Sequence, residues 1–217
     1  VERSRGLGDV YKRQERMRAA YDYGADAVYA GSPRYSLRAR NNEFAKLDVL
    51  EQGIKEAHER NKKFFLTVNT LPHNSKLKTF ISDMEPLIAM KPDALIMADP
   101  GLIMTVREKW PEMPIHLSVQ ANTTNYWGVK FWQNIGVERI ILSRELSMEE
   151  IAEIRQECPD IELEVFIHGA LCIAYSGRCL LSGYFNHRDP NQGTCTNSCR
   201  WDYKVHNAVE SDAGDAQ

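Results

Sequence analysis

No apolar run in this chain approaches the length of about 20 residues that crosses a bilayer as a helix. Its N-terminus also lacks the charged-then-apolar pattern of a secretory leader. Together these absences lead to the expectation of a cytoplasmic protein with no membrane contact. An excess of positive charge is missing too. With 27 Lys and Arg against 30 Asp and Glu, the formal net charge is −3, which excludes a globally basic nucleic-acid coat. Any RNA contact is therefore local, a patch of Arg and Lys on one face. No G-x-G-x-x-G follows the first apolar strand, which argues against a dinucleotide-binding fold. H-E-x-x-H and G-x-S-x-G are absent as well, so protease chemistry has no motif of its own.

The 217 residues are 43% hydrophobic and 26% charged, which suits one domain with a substantial core. Both ends depart from that pattern. Residues 1–14, VERSRGLGDVYKRQ, mix charges and glycines without periodicity, resemble a translated adapter, and are read as a non-native segment outside the fold. Residues 204–217 trail off in small and acidic residues and read as a truncated tail, so the chain is expected to be a fragment.

Between them, short apolar segments at 26–31, 63–69, 93–99, 114–120, 138–144 and 163–169 read as strands buried on both faces. Helical patterns lie between these strands. Leu47, Leu50, Ile54 and Ala57 recur at helical spacing, and Ser147 with Glu150 three places on forms a capping box at a helix start. Alternation of this kind implies a parallel sheet with right-handed crossovers. The strands end in Asn69, Asp99, Gln120, Arg144 with Glu145, and His168. Polar residues at the same end of successive strands are what a TIM-type barrel uses to build its active face, although such residues also simply end strands and cap helices. The fold class expected is α/β, an incomplete TIM-type (β/α) barrel over 15–170, lacking its first strand and its C-terminal strands.

A Cys-rich segment, 171–203, follows the sixth visible strand. Cys158 stands apart at a helix end before Pro159 and is taken as structural, whereas Cys172, Cys179, Cys195 and Cys199 cluster in CIAYSGRC and CTNSC. Disulfides need an oxidising compartment that nothing here marks. Structural zinc favours tighter knuckles than CIAYSGRC provides, but zinc stays as the runner-up. A nucleophilic cysteine needs a base, and His168 lies four residues before Cys172 without a third orienting group. An iron–sulfur cluster fits best, because soft thiolates on a Gly-rich loop tolerate irregular spacing.

EVFIHGALCIAYSGRCLLSGYFNHRDPNQGTCTNSCRW resembles the diagnostic block of the collagenase-like peptidase U superfamily. YGADAVYAGSPRYSLRARNNEF, KPDALIMADPGLIM, MPIHLSVQANTTN and ILSRELSMEEI extend the resemblance, from about residue 15 onward, to the branch of that family that hydroxylates tRNA. The resemblance implies 5-hydroxylation of the wobble uridine, independent of molecular oxygen, with prephenate as co-substrate. Its implied cofactor is a 4Fe-4S cluster, and its implied partners are tRNA and the iron–sulfur assembly machinery. By this likeness Cys172, Cys179 and Cys195 match cluster positions, with Cys199 as the fourth ligand. A collagenase-like peptidase and a purely structural metal-binding barrel are the alternatives.

Arg38 and Arg40 are placed where guanidinium forks hold carboxylates or phosphates, and prephenate carries two carboxylates. Asn69, Asn122, Arg178 and Arg188 complete the expected substrate contacts. The catalytic candidates are His73, Gln120, Arg144 and Glu145. Among these His73 is the preferred proton carrier, since imidazole ordinarily titrates nearest neutrality. Tyr175 and Tyr184 are weighed between stacking on RNA and packing around the cluster.

Overall fold

In a computed structural model, the described residues are 7–9, 14–37, 39, 42–168 and 172–204. Seven parallel strands, in the order in which they occur in the chain, form one curled half-barrel. They are β1 (Leu7–Asp9), β2 (Ala27–Gly31), β3 (Lys63–Val68), β4 (Ala94–Met97), β5 (Ile115–Leu117), β6 (Arg139–Ile141) and β7 (Glu162–Glu164). The helices are α1 (Gln14–Asp22), α2 (Leu47–Glu59), α3 (Asn74–Leu77), α4 (Phe80–Ala89), α5 (Pro100–Lys109), α6 (Tyr126–Asn134), α7 (Met148–Glu157) and α8 (Leu181–Asn186).

Alternation along each strand divides the core in two. Phe64, Leu66 and Val68 of β3, and Leu95 and Met97 of β4, join the large core that includes Leu50, Ile54, Ile103 and Val106 of the helices. The intervening Phe65, Ala94 and Ile96 join Ala27, Val119 and Ile141 on the other face. Both faces are thus apolar, which is why the strands read as continuous runs. The capping box of α7 is present on both sides: Glu150 N donates to Ser147 Oγ at 3.2 Å, and Ser147 N donates to Glu150 Oε2 at 2.7 Å. Asp99, one of the polar strand ends, caps α5 by accepting from Leu102 N at 2.9 Å, with Pro100 in the first turn. Its role is structural.

Two expectations are corrected. Leu7–Asp9, set outside the fold on composition, pairs in parallel register with Ala27–Tyr29, so the barrel does have a strand before the Asp26 strand. Pairing uses only the backbone, and three residues carry no readable periodicity. The strand expected over 163–169 is only Glu162–Glu164, and Val165, Phe166 and Ile167 are exposed, as befits an edge with a neighbour on one side. Leu47 opens α2 but is half-exposed; the buried stripe is Leu50, Gly53, Ile54 and Ala57. Cys158 behaves as expected, buried at the C-terminus of α7.

The N-terminal ends of the strands hold a polar cluster around a cavity of about 250 Å³ lined by Lys63, Phe65, Asp93, His116, Arg139 and Glu162. His116 is buried edge-on to Phe65, with ring centroids 4.6 Å apart, and its Nδ1 has no partner among the described residues. Arg139 spans Glu162 at 2.6 Å and Glu164 at 3.3 Å while lying over the Phe65 ring. Burial, then the nearby Arg139 and Lys63 charges, push the His116 pKa from 6.5 down to about 3. This histidine is therefore neutral in the fold.

Because the unfolded chain binds a proton at His116 between those two values and the fold does not, stability falls as pH drops below 6.5, by about 1.4 kcal/mol per pH unit. Urea unfolding at pH 7 and pH 5 should show a loss about 2 kcal/mol larger for the wild type than for His116→Gln. Equal losses would contradict a neutral buried imidazole.

Candidate functional site

The segment 172–204 folds back across the C-terminal ends of the strands and is bonded to the loops there. Ser176 carries the first attachment. Its backbone N and its Oγ each donate to the Glu145 carboxylate at 2.6 Å, and its Oγ lies 2.8 Å from Ser143 Oγ. Ser176 is buried in the left-handed region at φ 41°, a conformation disfavoured for a residue with a Cβ. Three hydrogen bonds hold it there. Next to it, Gln120 Nε2 donates to Gly177 O at 3.4 Å, and Arg178 Nε donates to Gln120 O at 3.4 Å. Gly177 has φ 78°, and a Cβ there would stand 2.8 Å from Gln120 Nε2. A side chain at this position would be strained at that φ and would displace the Gln120 amide.

A second attachment lies over β2 and β3. Leu71 N donates to Asn191 O at 3.4 Å, Gln192 Nε2 donates to Leu71 O, and Lys76 Nζ donates to Gln192 O at 3.5 Å. Gly193, at φ 90°, passes so close to the loop after β2 that a Cβ would meet Ser36 O at 2.7 Å. The loops after β2, β3, β5 and β6 are thereby joined by one segment.

Hydroxyl and amide groups tie the segment to itself. Asn186 Nδ2 reaches Thr196 Oγ1 and Ser198 Oγ, both at 3.2 Å, and Ser182 Oγ accepts from Thr196 N at 3.1 Å. These bonds clamp the CTNSC turn to α8. Asn191 Nδ2 donates to Cys179 O at 3.1 Å. Cys172, Cys195 and Cys199 are exposed, Cys179 is half-buried, and all four are free thiols. Asn197 N donates to Cys195 Sγ at 3.4 Å. Among the described residues no three His, Cys, Asp or Glu side chains converge as a metal-binding group. The donor chemistry suits a soft metal centre, and hydrogen bonds hold the turns that carry Cys179, Cys195 and Cys199, but among the described residues the thiols do not form a closed cage.

Gln120 is bonded to Arg178 at the end of β5, Arg144 and Glu145 follow β6 with Glu145 bonded to Ser176, and Asn122 ends the turn Val119–Ala121. Asn69 is tied to the same region: its Oδ1 accepts from Leu37 N at 3.2 Å and its Nδ2 donates to Ser118 Oγ at 3.3 Å. Asn122 is left-handed at φ 63°, and its buried Oδ1 has no partner among the described residues. The Arg144 guanidinium lies 5.3 Å from the Phe166 ring, with a buried Nε likewise unpartnered among the described residues. His73 is exposed at the head of α3 and makes no capping bond. His168 and Arg188 are exposed. Arg38 and Arg40 lie outside the described residues.

Glu145, one of the catalytic candidates, has both of its oxygens engaged by Ser176. Burial pushes its pKa up, but the Ser176 hydroxyl and amide and the Arg144 guanidinium outweigh this and leave it lowered. The sequence reading missed Ser143 and Ser176, which look like loop filler; the S-G pair inside YSGRC, a turn before a cysteine, was the available signal.

With a lowered carboxyl pKa, the Glu145 clasp is complete above the ordinary carboxylate range and is lost as pH falls through the folded value. Glu145→Ala should speed limited proteolysis within 172–180 about fivefold to tenfold at neutral pH, leave cleavage of the barrel unchanged, and remove the acid-induced rise seen in the wild type. Equal cleavage rates in both proteins would contradict the clasp.

The description "Peptidase family U32" matches residues 12–217. The tRNA hydroxylation protein P of Escherichia coli (strain K12) is 68% identical over 198 residues, covering 91% of this chain and 44% of that protein. The 23S rRNA 5-hydroxycytidine C2501 synthase of the same organism is 36% identical over 188 residues, covering 87% of this chain and 28% of that protein. This chain thus spans less than half the length of these relatives. Among solved structures, the U32 peptidase Mk0906 superposes with a TM-score of 0.63 at 15% identity, covering 75% of this chain and 68% of that one, which supports the fold alone. With the family description matching nearly its whole length, the chain belongs to peptidase family U32.

Proposed function

We propose that this chain is the thiol-bearing part of an RNA-modifying hydroxylase that forms 5-hydroxyuridine at the tRNA wobble position, using prephenate and no molecular oxygen. The observation that carries the reading is the docking of the four-cysteine segment across the C-terminal strand ends, the face on which barrel enzymes assemble their sites. The similarity to a tRNA hydroxylation protein and to a 23S rRNA 5-hydroxycytidine synthase supports hydroxylation of RNA. Cys172, Cys179, Cys195 and Cys199 are the residues that would hold a 4Fe-4S cluster, which would supply electron transfer when bound.

The protein's own groups have separate tasks in this reading. Arg144, whose guanidinium lies over the Phe166 ring, offers its fork to a carboxylate of the co-substrate. Arg178 is held to Gln120 O by its Nε, which leaves its terminal nitrogens for phosphate. His73, exposed after β3, is the proton carrier, and Glu145 positions the segment through Ser176. The iron–sulfur assembly machinery is the partner that would load the cluster, in the cytoplasm. No helix among the described residues is long and apolar enough to cross a membrane.

The test uses the longer protein that carries this segment. Purified without air, it should contain about four iron and four sulfide per chain, and it should restore hydroxyuridine to the tRNA of a strain lacking the activity. Cys172→Ala should abolish the modified nucleoside. A colourless protein with stoichiometric zinc would contradict the cluster, and an unchanged nucleoside profile would contradict the hydroxylase.

A further inference from the structure

Beyond the strand ends, the outer side of the Cys-rich segment presents aromatic rings that the barrel does not cover. Tyr184 is 80% exposed, Phe185 43%, Trp201 46% and Tyr203 51%. Phe185 and Tyr203 lie with centroids 5.3 Å apart and planes 31° from parallel, and Tyr184 meets Phe185 edge-on at 5.0 Å. The rings sit on a fixed base. Tyr203 Oη donates to Ser198 O at 2.7 Å, and Asn186 binds the hydroxyls of Thr196 and Ser198, so α8 and the turn Ser198–Arg200 move as one unit.

Charge separates this patch from the rest of the chain. Residues 172–204 hold Arg178, Arg188, Arg200 and Lys204 against Asp189 and Asp202, whereas the whole chain carries −3. Asp189 is already occupied, accepting from Asn191 N at 2.8 Å. Exposed rings, one of them anchored through Tyr203 Oη, with Arg188 and Arg200 each three residues away in sequence from Phe185 and Tyr203, match a strand with exposed π-faces and a phosphate backbone. The patch adjoins two thiols, since Arg200 and Trp201 directly follow Cys199 and the CTNSC turn is clamped to α8.

We propose that Tyr184, Phe185 and Tyr203, with Arg188 and Arg200 beside them, form a stacking platform that seats unpaired bases of a single-stranded RNA loop next to the thiols. This rests on the RNA-modifying reading and adds to it the binding surface and the unpaired state of its substrate. Duplex RNA offers no free base faces to these rings and is excluded as the preferred ligand.

Fluorescence anisotropy with one short labelled RNA, presented single-stranded and then annealed to its complement, tests this on the present chain. The single strand should bind more tightly than the duplex. Phe185→Ala and Tyr203→Ala should each weaken it about tenfold, and Tyr203→Phe, which keeps the ring, should weaken it less. Arg188→Ala and Arg200→Ala should each lower the salt dependence by about one unit of slope. Unchanged thermal melting and thiol titre show that the variants fold. If the single strand binds and the ring variants bind equally well, the platform is wrong while the RNA reading stands. Concentration-dependent self-association through the patch, with no binding of either RNA, would also overturn the platform; the hydroxyuridine assay then judges the hydroxylase reading separately.

Discussion

The carboxylate of Glu145, closed on the backbone and hydroxyl of Ser176, is the contact on which the rest of the arrangement depends. Without it, only the Ser143 hydroxyl offsets the left-handed backbone of a buried serine, and the turn that precedes Cys179 loses two of its bonds to the barrel. Gln120 and Arg178 then close over Gly177, and the second attachment at Asn191, Gln192 and Gly193 spans the loops after β2 and β3. Gly193 marks a backbone approach where a Cβ would not fit, and Gly177 turns at a positive φ that disfavours any side chain.

The half-barrel supplies the stage through ordinary burial. Its strands alternate between a large core under the helices and a smaller one on the opposite face, so the backbone at their C-terminal ends is rigid where the Cys-rich segment lands. The opposite end is charged, with Arg139 holding Glu162 and Glu164 beside a neutral His116. A barrel divides its labour in this way: the lower end contributes stability, the upper end chemistry.

Much of the fold was legible because parallel strands buried on both faces leave continuous apolar runs, as in KFFLTV and ALIM. The capping box of α7 was legible because Ser147 and Glu150 act within one turn. β1 was not, since a three-residue strand joined through its backbone leaves no side-chain pattern. For the site, sequence marked the polar strand ends but could not distinguish Asp99, a helix cap, from Gln120, a docking residue. It did not show that Glu145 is bonded to Ser176, because Ser176 and its other partner, Ser143, are short residues that come together only after folding. The thiols were plain in CIAYSGRC and CTNSC, whereas the Asn, Ser and Thr bonds that fix their loops were not.

The central claim is that the Cys-rich segment is held on the barrel face through Ser176. Amide hydrogen exchange at Ser176 tests it most directly, because that N–H is buried and donates to Glu145. The account predicts slow exchange at Ser176 in the wild type, lost in Glu145→Ala while the amides of β3 and β4 stay protected. Exchange at Ser176 as fast as in an unstructured peptide, in the wild type itself, would contradict it.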